Sequence, residues 1–289
     1  MFDGCQGREP TSRTYVSQGL QLHYADWGNE GAPTLILLHG VRDHARSWDP
    51  VAQALCADWR VVAPDLRGHG DSEWSPDGAY LASYHVLDFV RLVDELGPGP
   101  LTIVAHSFGG NVAARFSAIF PERVKKLVLL EGLGPAPKVR AEWARQGLVQ
   151  RTRDFIGRQA APARERRMAS LEEAAARQKA SNPRLSDEQA RHLALHGVRR
   201  MDDGYAWKFD PRVTAYPPED FTADEPSVWS EIRAPTLLCW GVHSWTTNPA
   251  VDGRAACIRD HRVAVFEQAG HWMHHEQYDD VMRTLRGFL

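Results

Sequence analysis

Along this chain, short runs that are apolar or nearly so alternate with stretches whose apolar residues recur every three or four positions. Thr34 to Leu38, Arg60 to Ala63, Leu101 to Val104, Val124 to Leu130, Thr236 to Trp240 and Arg262 to Phe266 are of the first kind. Such runs predict strands, and Leu101 to Val104 is of the kind expected to be buried on both faces. Arg13 to Ser17 and Leu20 to Trp27 predict two more strands, the second alternating around Leu20, Leu22 and Tyr24, with Gly19 at the turn. Helical spacing marks Trp48 to Ala57, Tyr84 to Leu96, Asn111 to Phe120 and Gln277 to Leu289, and Gly97-Pro98-Gly99-Pro100 stops the second of these. Strands alternating with helices predict an α/β protein with a mostly parallel, doubly wound sheet. Chemistry in such sheets gathers at the carboxyl ends of the strands.

One stretch breaks the alternation. From about Pro135 to Trp229 the pattern is helical and Arg-rich, with fifteen Lys/Arg against seven Asp/Glu between Lys138 and Arg200. Arg164-Glu165-Arg166-Arg167 and Leu171 to Ala180 read as exposed helix, and Pro211, Pro217, Pro218 and Pro226 mark a loop-rich return to the sheet. The expected organisation is therefore a core of residues 1–134 and 230–289, with 135–229 inserted between the sixth and seventh core strands as a helical cap. The positive charge reads as a solvated helical face. No aromatic–basic interleaving accompanies it that would suggest nucleic acid.

Composition narrows the picture. A chain of 289 residues with 43% hydrophobic and 25% charged residues suits one large globular α/β domain with an insertion. The net charge of -3 argues against nucleic acid or an anionic membrane as partner. No apolar run approaches the roughly 18 residues that span a bilayer. Met1 to Ser12 reads as a loose leader without the features of a secretory signal. Cys5, Cys56, Cys239 and Cys257 are widely spaced and form no C-x-x-C pair, so buried free thiols and a cytoplasmic location are expected.

The candidate chemistry centres on Leu101 to Gly110, L-T-I-V-A-H-S-F-G-G. A strand, a tight turn carrying serine and then a helix form the context in which a G-x-S-x-G-type motif has meaning. The serine must take a strained backbone conformation, so its neighbours two residues away must be small. Here they are Ala105 and Gly109.

Four pieces in this order resemble the α/β-hydrolase superfamily over nearly the whole chain: His39-Gly40, Asp65 to Ser72, Ala105 to Gly110, and Gly270-His271 before the last helix. Capped members of that family include carboxylesterases, lactonases, carbon–carbon bond hydrolases, epoxide hydrolases and haloalkane dehalogenases. The last two use an aspartate where this chain has Ser107, which disfavours their chemistries. The resemblance implies Ser107 as nucleophile and His271 as general base, ahead of His274 and His275, with His39, His69 and His106 as structural hydrogen-bonding residues. The family usually supplies the acid as G-x-x-D after the strand Thr236 to Trp240, but Gly241-Val242-His243-Ser244 has serine there. Its second solution places the acid after the preceding strand, which here ends in Glu131. Asp252, expected in a following helix, is a weaker candidate.

Backbone N–H groups of Val41 and Phe108 are the expected oxyanion hole. Arg42, Leu133 and Trp245 are candidate substrate-binding residues, and the ten tryptophans, Trp143, Trp207, Trp229 and Trp272 among them, suggest an aromatic pocket. The expected function is a serine hydrolase cleaving a small-molecule carboxylic ester or related acyl compound, with no metal or organic cofactor. Carbon–carbon cleavage of a ring-cleavage diketone and weakly catalytic ligand binding are the alternatives, and the oligomeric state stays open, a homodimer included.

Overall fold

The computed structural model describes residues 7–161, 165–218, 220 and 224–289. The chain opens with strands β1 (Thr11–Ser17), β2 (Leu20–Asp26) and β3 (Thr34–Leu38), then helix α1 (Asp49–Leu55), β4 (Arg60–Pro64), α2 (Ala82–Leu96), β5 (Leu101–His106), α3 (Ser107–Ile119) and β6 (Val124–Leu130). Helices α4 (Pro137–Gln146), α5 (Leu148–Ala160), α6 (Leu171–Ser181) and α7 (Asp187–Gly197) follow, then a hairpin of β7 (Val198–Met201) and β8 (Gly204–Trp207), and α8 (Glu225–Ser230). The chain closes with β9 (Thr236–Gly241), β10 (His261–Phe266), α9 (Met273–Glu276) and α10 (Tyr278–Phe288).

Eight strands form one sheet in the order β1-β2-β4-β3-β5-β6-β9-β10. β1 pairs antiparallel with β2 and β2 antiparallel with β4, and every other pairing is parallel. This is the α/β-hydrolase architecture. The apolar strands alternate sides, as a period of two requires. Ile36 and Leu38 face a core shared with Phe89 and Leu92 of α2 and Val112 and Phe116 of α3. Leu35 and Leu37 face a second core, with Val51 of α1 and Val281 and Leu285 of α10. Cys56 is buried, Cys239 is a buried free thiol, as expected, and Cys257 is half-buried; Cys5 lies outside the described residues.

The segment between the sixth and seventh strands of the large sheet differs in detail from its sequence reading. Residues 165–167 are not helical; Met168 instead bridges Tyr205 in the β8 strand. Arg164 lies outside the described residues. The hairpin was not expected, because its strands are only four residues long and carry Arg199, Arg200 and Gly204 instead of an apolar run. Helix α7 starts with a capping box, Ser186 and Gln189 each accepting the other's backbone N–H. Hydrogen bonds tie this segment to loops at the carboxyl ends of the strands. His44 Nε2 meets the Leu193 carbonyl at 3.0 Å, Tyr80 Oη donates to Asp210 at 2.6 Å, and Asn182 donates to Glu276 at 3.0 Å. Helix α8 packs on α3 and puts Trp229 into the core. Among the described residues no helix is long and apolar enough to cross a membrane.

Burial is the largest cause of a shared property of six imidazoles. His85, His106 and His274 are held well below the ordinary histidine pKa, His44 and His69 are pushed down to about 3, and His275 to about 4. The unfolded chain binds a proton on each near pH 6.5, whereas the folded chain does not until the lower value is reached. Unfolding therefore takes up protons below about pH 6.5, and stability falls as pH falls from there toward 4. Each histidine contributes a slope of about 1.4 kcal/mol per pH unit within its window. Urea unfolding between pH 7.5 and 5 should show this decline, and His69→Asn should reduce proton uptake on unfolding by about one.

Candidate active site

Ser107 sits at the junction of β5 and α3 with a φ of 52°, a left-handed conformation rare for a residue with a side chain. Close packing holds it there. A methyl group on Gly109 would lie 2.4 Å from the His39 carbonyl oxygen, and one on Gly110 would lie 2.4 Å from the Gly132 Cα. The second contact sets α3 directly against the chain leaving β6. Ala105 is fully buried. A small residue at Gly109 is thus a steric necessity, and Ala105 leaves no exposed surface on the other side of Ser107.

His271 lies on the loop between β10 and α9. Its Nε2 accepts from Ser107 Oγ at 3.0 Å, and its Nδ1–H donates to Glu131 Oε2 at 2.5 Å. Glu131 follows β6 directly, in a left-handed conformation with φ 50°, and its side chain is fully buried. Three donors meet its carboxylate. Gly241 N–H reaches Oε1 at 3.0 Å, while Ser244 Oγ–H reaches Oε2 at 2.6 Å, the same oxygen that takes the His271 proton donor. Ser244 in turn accepts from Thr246 N–H at 3.1 Å. Ser244 is therefore a hydrogen-bond donor to the Glu131 carboxylate. Asp252 is in an irregular turn, not a helix, and is paired with Arg254 at 2.9 Å.

The other sequence candidates fall around this chain. Phe108 is the second residue of α3, where a helix leaves N–H groups without intrahelical partners at the positive end of its dipole. Val41 follows Gly40, on which a methyl group would lie 3.1 Å from Ser107 Cβ. His39 holds that loop: its Nε2 accepts from Leu66 N–H at 3.0 Å and its Nδ1–H donates to the Gly40 carbonyl at 2.7 Å. His106 Nε2–H donates to the His271 carbonyl at 2.9 Å. His274 is buried and stacks on Trp48 with ring centres 4.6 Å apart.

A cavity of about 720 Å³ adjoins the site, with Val41, Arg42, Trp207, Trp272 and His275 in its wall. It reaches Val41 and Arg42 on one side and Trp272, the residue after His271, on the other. Trp245 is 78% exposed and lies over His271, with ring centres 4.9 Å apart. Leu133 and Trp229 are buried in the core, and Trp143 packs against its edge.

Among the described residues, three groups of histidine and aspartate have ligand atoms within 4.8 Å of one another: Asp43/His274/His275, Asp49/His192/His196 and His23/Asp65/Asp71. None contains Ser107, His271 or Glu131, and each aspartate at their centre is already engaged. Asp65 takes His23 at 2.7 Å and Ala45 N–H at 2.7 Å, Asp49 takes Arg46 at 2.8 Å, and Asp43 takes Ser47 at 3.0 Å.

Glu276 escaped the sequence reading. Its buried carboxylate accepts from the N–H groups of Gly270 and Trp272, on either side of His271, and from Asn182 of the inserted segment. A carboxylate five residues after a histidine, within a four-residue helix, has no pattern that marks it. Only the folded loop reveals its task.

The family model for the alpha/beta hydrolase fold matches residues 33–278, and the chain belongs to this family. It is a hydrolase. Its relatives include an esterase of Mycobacterium tuberculosis, 30% identical over 276 residues that cover 91% of this chain and 84% of the esterase. A 3-hydroxybutyrate-oligomer hydrolase of Cupriavidus necator is 32% identical, covering 78% of this chain and 77% of that protein. A serine hydrolase-like protein of Danio rerio is 35% identical over 192 residues, 65% of this chain, and the match spans 58% of the relative's length. Among solved structures, the thioesterase domain from the curacin biosynthetic pathway superposes with a TM-score of 0.86 at 23% identity, covering 96% of this chain and 99% of that one.

The shared Glu131 oxygen makes Ser244 sensitive to charge. Ser244→Asp would bring two carboxylates together in a buried site, forcing one to take up a proton. A loss of about 3 kcal/mol is expected, or on the order of 5–10 °C in Tm. The double variant Glu131→Ser/Ser244→Asp should recover most of it. Thermal unfolding of the three proteins distinguishes charge conflict from a mere packing defect, which the double variant would not repair.

Proposed function

We propose that the protein is a serine hydrolase that cleaves a carboxylic ester or related acyl compound through an acyl-enzyme on Ser107. The observation carrying this reading is the continuous hydrogen-bonded chain from Ser107 Oγ through His271 to Glu131. A serine hydroxyl is a weak nucleophile until a neighbouring base takes its proton. His271 Nε2 takes it as Oγ attacks the acyl carbonyl, and the Glu131 carboxylate holds the imidazole in the required tautomer and stabilises its cation. The developing oxyanion is received by the N–H groups of Val41 and Phe108. His271 then returns the proton to the departing alcohol or thiol, and a water activated by the same histidine releases the acid.

Residues 135–229 act in this scheme as a cap over the strand ends, with the substrate in the cavity beneath. The ester-cleaving relatives support an ester-type bond. Free thiols at Cys239 and Cys257 suit a reducing compartment, and we place the enzyme in the cytoplasm.

Hydrolysis of 4-nitrophenyl esters of graded acyl length tests the reading. Ser107→Ala should lower kcat by about 10³- to 10⁶-fold, and Glu131→Gln by roughly 10⁴-fold, by analogy with neutralising the acid of a serine protease triad. A fluorophosphonate should add one phosphonyl group to the wild type and none to Ser107→Ala. Undiminished turnover in both variants would overturn the mechanism.

A further inference from the structure

We propose that the cavity beside Ser107 is built for an acyl substrate carrying a carboxylate at the end remote from the scissile bond. The proposal rests on the acyl-hydrolase reading above and adds the substrate's charge. Arg42, Arg166 and Arg177 all line the cavity wall, against two carboxylates, Asp43 and Glu165. Both acids are already engaged. Glu165 is paired with Arg199 and, at 3.6 Å, with Arg167, neither of which lines the cavity. Asp43 accepts from His44 N–H at 2.9 Å and Ser47 Oγ at 3.0 Å, and burial pushes its carboxyl pKa above the ordinary value.

The cations are less completely used. Arg177 has an i,i+4 partner in Glu173 at 2.8 Å, but a guanidinium offers five N–H donors. Among the described residues, Arg166 is exposed and pairs with no carboxylate. Arg42 reaches Thr214 Oγ1 only at 3.5 Å, and its guanidinium lies 5.8 Å from the Phe209 ring centre. Its backbone is also left-handed, with φ 62°, in the loop that closes on Ser107. An arginine held in a conformation that favours glycine or asparagine, with its guanidinium turned toward Phe209 of the cavity wall, suggests a side chain placed for use.

The rest of the wall suits the remainder of such a substrate. Trp207 and Phe209 stack with ring centres 5.9 Å apart, and Trp272 joins them in the wall. Aromatic faces would hold the methylene chain, and the arginine forks would hold the carboxylate in paired, charge-assisted hydrogen bonds.

The test compares kcat/KM for 4-nitrophenyl monoesters of glutaric, adipic and suberic acids with the neutral pentanoate, hexanoate and octanoate. At low ionic strength, about 20 mM NaCl, the carboxylate member is expected to lead its neutral counterpart by about tenfold or more at one chain length. Raising NaCl to about 500 mM should shrink that ratio. Arg42→Gln and Arg166→Gln should each lower it at least about fivefold, and Arg166→Lys should retain most of it. A wild type that favours the neutral ester at every length, or a preference surviving both glutamine variants, overturns the proposal. Neutral esters cleaved in a Ser107-dependent manner without carboxylate preference would sink this inference alone. No cleavage of either series, with no fluorophosphonate adduct, would sink the acyl-hydrolase reading beneath it.

Discussion

The carboxylate of Glu131 is the point on which the site depends. A fully buried carboxylate is tolerable only when its lone pairs are taken, and here His271, Ser244 and the Gly241 N–H take them. The donors arrive on two pieces of chain, Gly241 and Ser244 at the end of β9 and His271 after β10, so the satisfied carboxylate depends on both being in register. Leu130 pairs with Cys239 across the β6–β9 ladder, and the Glu131 N–H continues it to the Cys239 carbonyl at 3.0 Å. That ladder delivers Gly241 and Ser244. The contact of Gly110 with Gly132 brings α3, and hence Ser107, to the same strand end. Sheet pairing and backbone contact thus determine where the polar groups meet.

Much of this was legible in the sequence because the determinants are local. The apolar runs that predict the strands lie within a residue or two of the observed ones; in the central strands β3, β5 and β6 most positions are buried, so few polar positions blur their limits. Ser107 was legible through the small residues beside it, and His271 through Gly270 and the short loop after a strand. Glu131 required one inference more. The missing aspartate at Ser244 directed attention to the neighbouring strand end, but that Ser244 donates to Glu131 is a fact of tertiary geometry. Glu276, Asp210 and Asn182 act through contacts between distant stretches, which no periodicity records. The β7–β8 hairpin was hidden for a related reason: four-residue strands with polar faces gain their order from pairing and from Met168 against Tyr205.

The inserted segment is joined to the core mainly by polar contacts. Tyr80 with Asp210, His44 with the Leu193 carbonyl and Asn182 with Glu276 link it to three different loops at the strand ends. The last of these reaches the loop of His271 through a single carboxylate, so the wall of the cavity and the proposed base share one anchor. A change in the segment can therefore alter the geometry of His271 without touching Ser107 or Glu131.

Charge is divided around that base in a way that follows from burial. His106 lies 4.7 Å from His271, ring to ring, and burial holds it well below the ordinary histidine pKa. His274 lies beyond it at a further 4.7 Å and is held down likewise. These rings fill space and hold the backbone of His271 without placing positive charge beside it. A cation there would oppose the imidazolium of the proposed mechanism and weaken the role proposed for Glu131. Positive charge is instead found at the cavity wall, on Arg42, Arg166 and Arg177. The same buried imidazoles that make the fold sensitive to acid thus keep the neighbourhood of the proposed base free of competing charge.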